Sequence, residues 1–178
     1  MQCAIVGAPA GTTCTLSNSN PLASAAGTSV FATIISTAAT TPAGSYTVQV
    51  TGTTANGQKT AQFTVNIKDF ALDVEPDTQT ITATGGTVLA DYTLTATALN
   101  GFNSAVSLTC AIPLPLGVTC GFGAAHVSSI PVLPTALGVP VTFRITVTSS
   151  AAPNQYDLNI RGTTGTLIRL EPVELQLQ

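Results

Sequence analysis

At 178 residues, 44% hydrophobic and with a mean hydropathy of +0.41, the chain can bury the core of one large domain or two small ones. Only 7% of its residues are charged and its formal net charge is −3, which excludes the clustered Lys and Arg of a nucleic-acid surface. No apolar run approaches the roughly 18 residues of a membrane span. Met1–Val6 lacks the charged head and long apolar body of a signal peptide, so a secreted reading places any signal upstream or already removed.

In chain order, Cys3 and Cys14 flank the loop Pro9-Ala10-Gly11-Thr12-Thr13. Val30 to Ile35 reads as a strand before the proline turn Pro42-Ala43-Gly44-Ser45. Tyr46 then opens an alternating strand that leaves through Gly52-Thr53-Thr54. Strict alternation predicts a half-buried strand with one face in a core and one in water. Lys68-Asp69-Phe70 closes this half, so the expected domains are residues 1–68 and 69–178. The connection has no Gly/Ser-rich linker, which predicts a stiff rod.

The second half opens with Ala71–Glu75, Gln79–Thr82, Val88–Ala98 and Ala105–Thr109, four strand-like segments with no counterpart in the first. Tyr92, Leu94, Ala96 and Ala98 alternate with Thr93, Thr95 and Thr97, and Asn100-Gly101 supplies turn chemistry before Phe102. From there the first half recurs. Cys110 and Cys120 flank Pro115-Leu116-Gly117-Val118-Thr119, and Val141–Val147 precedes a turn at Pro153. Tyr156 opens a strand leaving through Gly162-Thr163-Thr164. The offset is 107 to 111 residues (Cys3 to Cys110, Val30 to Val141), about the length of one immunoglobulin-like domain. The final strand, Val173–Gln178, follows Pro172, which cannot donate to a ladder and so suits an edge or a bulge. No segment reads as a long helix.

Cys3, Cys14, Cys110 and Cys120 thus fall as two local pairs. In the second half, Val106, Leu108 and Cys110 share one face, as do Val118, Cys120 and Phe122, which puts Cys110 and Cys120 within bridging reach; Cys3 and Cys14 hold the matching positions of the first half. Two disulfides would imply an oxidising compartment; the alternative is four reduced, buried cysteines acting as small hydrophobes. A zinc site would need C-x-x-C spacing or more than the single His126.

Three landmarks together resemble bacterial immunoglobulin-like repeats: Asn100-Gly101-Phe102, the Cys…Pro-x-Gly-x-Thr-Cys loop, and Pro-x-x-Tyr with a Gly-Thr-Thr exit. The resemblance implies all-β, tandem immunoglobulin-like Greek-key β-sandwiches, the first lacking its N-terminal strands. Tyr46 and Tyr156 would be tyrosine corners. It also implies an extracellular or cell-surface setting, with tandem repeats as spacers, stalks or accessory modules, and it carries no catalytic residues.

Other candidate sites are weaker. His126 lies in a small-residue loop with no G-x-S-x-G elbow, which argues against hydrolase chemistry. Asp69, Asp73, Glu75 and Asp77 form an acidic cluster at the junction. Read as a strand, Asp73, Glu75 and Asp77 share one solvent face, suiting either calcium or charges that discourage edge pairing. Phe31, Phe63, Phe143, Tyr46, Tyr92 and Tyr156 all lie on apolar alternation and are expected inside. Phe102 and Phe122 remain as rings that could stack on a sugar. No N-x-[ST] sequon is present.

The expectation is a non-catalytic extracellular structural module, needing no cofactor: a cell-surface stalk, adhesin spacer or fibre subunit. Its partners would be neighbouring copies or adjacent repeats. The incomplete first half could be completed by strand donation between subunits, with Val173–Gln178 as one donor, or its missing strands could lie elsewhere in a longer protein. The alternative is an accessory carbohydrate-binding module of a secreted enzyme.

Overall fold

The computed structural model describes residues 1–19, 32–38, 40–82 and 85–178. The fold is all-β in several sheets, with no helix among the described residues. It divides into two compact units, Met1–Asp69 and Phe70–Gln178.

Unit 1 has a three-stranded sheet ordered β1 (Gln2–Ile5), β4 (Gly44–Thr54), β5 (Gly57–Ile67), and a two-stranded ribbon of β2 (Thr13–Leu16) and β3 (Thr33–Ser36). All of these pairings are antiparallel. Alternation along β4 turns Val48 and Val50 inward; they are the buried hydrophobic residues of this unit among those described. Val30 and Phe31, expected on the strand before the proline turn, lie outside the described residues. Phe63, expected inside, is 43% exposed. It stands opposite Val48 on β5, a strand whose residues from Gly57 to Thr64 are all exposed.

Unit 2 is a two-layer sandwich. Its four-stranded sheet runs β10 (Val118–Phe122), β12 (Val139–Val147), β8 (Val88–Leu99), β6 (Asp69–Glu75). Its five-stranded sheet runs β11 (Ser129–Val132), β9 (Val106–Cys110), β13 (Asn154–Thr164), β14 (Leu167–Leu177), β7 (Thr78–Ile81). The β14–β7 pairing is parallel; the other registered pairings are antiparallel. Alternate residues of both layers meet in one core that includes Phe70, Leu72, Tyr92, Leu94, Phe143, Ile145, Leu108, Ile160 and Leu175. Phe143 packs between Tyr92 (centroids 5.6 Å) and Phe122 (5.3 Å). The Tyr92 hydroxyl crosses the layers to donate to the Glu174 carbonyl at 3.2 Å, and burial pushes its phenol pKa up to about 12.

Two expectations are corrected here. Phe122 is fully buried, because strict alternation along β10 puts it on the same inward face as Val118. The terminal strand is not an edge. β14 begins at Leu167, and β7 pairs along its other side from Glu174. Pro172 falls just before that pairing starts, where its missing N–H costs no ladder bond. With Val173, Leu175 and Leu177 buried and both sides paired, this strand is not free to be donated.

Candidate functional site

The most elaborated local structure is a clasp that recurs in both units. Cys3 on β1 is bonded to Cys14 on β2, with Cα atoms 5.7 Å apart. Cys110 on β9 is bonded to Cys120 on β10, with Cα atoms 6.6 Å apart. In each case the bond joins strands of two different sheets. The registers coincide. Cys3 stands opposite Val50 and Cys14 opposite Ile35; Cys110 stands opposite Ile160 and Cys120 opposite Ile145.

The loop inside each clasp is built the same way. Thr12 N–H donates to the Pro9 carbonyl at 3.2 Å, and Val118 N–H to the Pro115 carbonyl at 3.1 Å. The third residue of each turn is a glycine at positive φ, Gly11 at 77° and Gly117 at 76°. That is the geometry of a type II turn, which explains the Pro-x-Gly-x spelling. Both loops also back onto a neighbouring chain segment. A Cβ on Gly11 would lie 2.6 Å from the Ala38 Cβ, and one on Gly117 would lie 2.5 Å from the Ala151 backbone nitrogen.

The tyrosines complete the pattern. Tyr46 donates its hydroxyl to the Pro42 carbonyl at 3.1 Å, and Tyr156 donates to the Ala152 carbonyl. In both, the strand-opening ring reaches back four residues and ties down the turn it has just left.

The remaining sequence candidates are brought together only in part. Asp73 and Asp77 line a depression of about 390 Å³ with Asp157, Glu171 and Glu174. Glu75 and Asp69 do not line it. β6 ends at Glu75 and a turn precedes β7, so Asp77 leaves the strand face expected to carry all three acids. Burial first, then the Asp73 and Asp77 carboxylates, raises the Glu171 pKa above the ordinary value. Among the described residues, no group of three or more His, Cys, Asp or Glu side chains is placed to hold a metal ion.

His126 sits at φ 48° in the turn after β10. Its Nε2 is 2.8 Å from Arg144 Nη1, and Arg144 also forms a two-pronged ion pair with Asp91 at 2.5 and 2.6 Å. Because an arginine N–H can only donate, the imidazole Nε2 accepts. Those hydrogen bonds hold the Asp91 carboxyl below its ordinary range. No local pattern marks this trio, since Asp91 and Arg144 are 53 residues apart and meet across the β8–β12 ladder. Phe102, the remaining candidate for sugar stacking, is half-buried and tilted against Phe70 with centroids 5.5 Å apart.

No protein-family model matches the chain, and no curated protein matches it. Among solved structures it is similar to domains 4 and 5 of the S-layer protein SbsC, at 14% identity and a TM-score of 0.34, over 76% of this chain and 65% of that one. It is also similar to the S-layer protein rSbsC(31-844), at 13% identity and a TM-score of 0.36, over 95% of this chain and 20% of that one. The chain thus spans less than two thirds of either neighbour, and likenesses this distant carry no functional argument.

Proposed function

We propose that the chain is a non-catalytic structural module of an extracellular or cell-surface protein, made of two immunoglobulin-like sandwich units in tandem. The observation that carries this reading is the clasp. A disulfide, a type II turn and a strand-opening tyrosine recur together at matching registers in both units. Disulfides persist in oxidising compartments. A covalent tie between two sheets is a device for holding a sandwich together under load or outside the cell.

The immunoglobulin-like reading is supported by the strand orders of unit 2. Its sheets β6-β8-β12-β10 and β9-β13-β14 match the A-B-E-D and C-F-G sheets of a constant-type domain, with β11 and β7 added at the edges of the second. A surface rich in threonine and poor in charge fits a packed stalk or lattice better than a freely diffusing enzyme.

The test is secretion of the full chain into an oxidising medium, followed by thiol alkylation with mass analysis and by single-molecule extension. The expected result is no alkylated cysteine, and two unfolding events that each lengthen when reductant is added. A chain that folds and stays reduced would overturn the reading, as would one that turns over an ester or glycoside substrate. For the carbohydrate-binding alternative, the discriminating result is glycan binding lost in Phe102→Ala.

A further inference from the structure

Register fixes which residues of the two units occupy the same place. Cys3 faces Val50 and Cys110 faces Ile160, so Gly52 stands in unit 1 where Gly162 stands in unit 2. Gly162 is covered: a Cβ there would lie 2.8 Å from Phe70 and 3.1 Å from Leu72, both on β6. Among the described residues, the nearest such atom over Gly52 is the Met1 Cε at 3.8 Å. The space instead forms an apolar groove of about 380 Å³, lined by Gly52, Val50, Ala61, Phe63 and Thr33 among others.

The walls of this groove tell the same story. Phe63 is opposite Val48 as Val173 is opposite Leu158, yet Phe63 is 43% exposed and Val173 is 2% exposed. Cys14 faces Ile35 and Cys120 faces Ile145, so β3 holds the place of β12. β12 is paired on both sides, by β10 and β8, whereas among the described residues β3 is paired by β2. The groove and the β3 edge therefore mark the places that β6 and β8 fill in unit 2.

We propose that this groove is a strand-binding seat. Its occupant is a strand pair of the β6–β8 type, which adds to the sheet edges as in β-augmentation. The seat defines the chemistry of that occupant. One strand carries large apolar residues at alternate positions, as Phe70, Leu72 and Val74 do, and lies over Gly52. The other runs antiparallel to β3, placing a small residue opposite Ile35 and an aromatic one opposite Thr33, as Ala90 and Tyr92 stand opposite Ile145 and Phe143. The inference rests on the register match and not on the surface-module reading, which could fail without it.

The experiment titrates the full oxidised chain with a synthetic peptide of this chain's own residues 69–99, against a peptide of the same composition in scrambled order. The expected result is saturable one-to-one binding of the first peptide only, with new amide-exchange protection at Thr33–Ser36. Gly52→Leu, which fills the seat, should weaken binding by about tenfold or more. A second variant, with a copy of residues 70–107 fused ahead of Met1, should protect the same amides and abolish peptide binding.

Absence of peptide binding to a folded chain would overturn the proposal, as would binding indifferent to Gly52→Leu. Destabilisation of the free chain by Gly52→Leu would show the groove already filled from within, which also overturns it. Self-association that is blocked by Gly52→Leu but indifferent to the peptide would also overturn it, by assigning the seat to a different strand of a second copy.

Discussion

The Tyr156 hydroxyl donates to the carbonyl of Ala152, four residues back and just outside the strand that the tyrosine opens. The bond is partly buried and fixes the path by which the chain enters β13, the strand that faces both β9 and β14. Its removal by Tyr156→Phe leaves the ring's packing intact and costs about 1 kcal/mol. The expected outcome is a fall of several degrees in the melting temperature of unit 2. Tyr46→Phe breaks the same bond at an exposed position and should shift unit 1 by less. Equal shifts in the two units would refute the view that burial sets the value of the bond.

The disulfides close loops of nearly equal span, with separations of 11 and 10 residues. In the chain-entropy account each stabilises by about 2–3 kcal/mol. Cys110→Ala combined with Cys120→Ala should therefore lower the denaturant midpoint of unit 2 at unchanged m-value. Unit 1 leans harder on its clasp, since Val48 and Val50 are its buried hydrophobic residues among those described. Cys3→Ala combined with Cys14→Ala should leave unit 1 without a cooperative transition, read by hydrogen exchange along β4 and β5. A cooperative transition retained at the parent midpoint would contradict this.

Local signals carried much of this architecture. Alternation located β8 and β13, the Pro-x-Gly-x spelling marked both cysteine loops without naming their turn type, and Asn100-Gly101 took positive φ at both residues as its turn chemistry implies. What escaped was set by partners distant in sequence. That β14 gains a second neighbour depends on parallel pairing with Thr78–Ile81, which leaves no trace near Val173. β11 was missed because it is four residues long and carries Pro131, tolerated there on a sheet edge. Phe63 shows the converse. Its alternation marks a core-facing position, but alternation cannot say whether a covering layer is present.

Two carboxyl groups of unit 2 should bend its stability in opposite directions with pH. Asp91 is held below its ordinary pKa by Arg144. Its contribution is present above that ordinary value and is lost as pH falls through the lowered one. Glu171 is held above the ordinary 4.5 by burial and by Asp73 and Asp77. Its protonated form favours the fold, so that contribution is complete below 4.5 and is lost as pH rises through the raised value. Melting curves across pH 3–7 should therefore show Glu171→Gln matching the parent at the acid end and exceeding it at neutral pH. Asp91→Asn should fall below the parent at neutral pH and converge with it in acid, and added salt should shrink its deficit because the pair is exposed. A Glu171→Gln advantage that persists unchanged at pH 3 would refute the assignment.

The clasp loops make a sharper prediction, because the two glycines meet different obstacles. Gly117 needs positive φ, and a Cβ there would press on the backbone nitrogen of Ala151 at 2.5 Å. Ala151 N–H is itself bonded to the Thr148 carbonyl, and Thr148 N–H to the Gly117 carbonyl, so that segment is pinned and cannot step aside. Gly117→Ala should combine backbone strain with overpacking, at a cost of about 2–4 kcal/mol to unit 2. Gly11 has the same φ, but its nearest obstacle is the Ala38 Cβ rather than backbone. Gly11→Ala should thus be rescued in part by Ala38→Gly, whereas truncating Ser150, whose Oγ would lie 2.7 Å away, should not rescue Gly117→Ala, because the nearest obstacle there is main chain. Chemical denaturation of the two single variants and of the double variant Gly11→Ala, Ala38→Gly reads this directly. Failure of the double variant to recover any stability would mean that turn strain alone sets the cost at both loops.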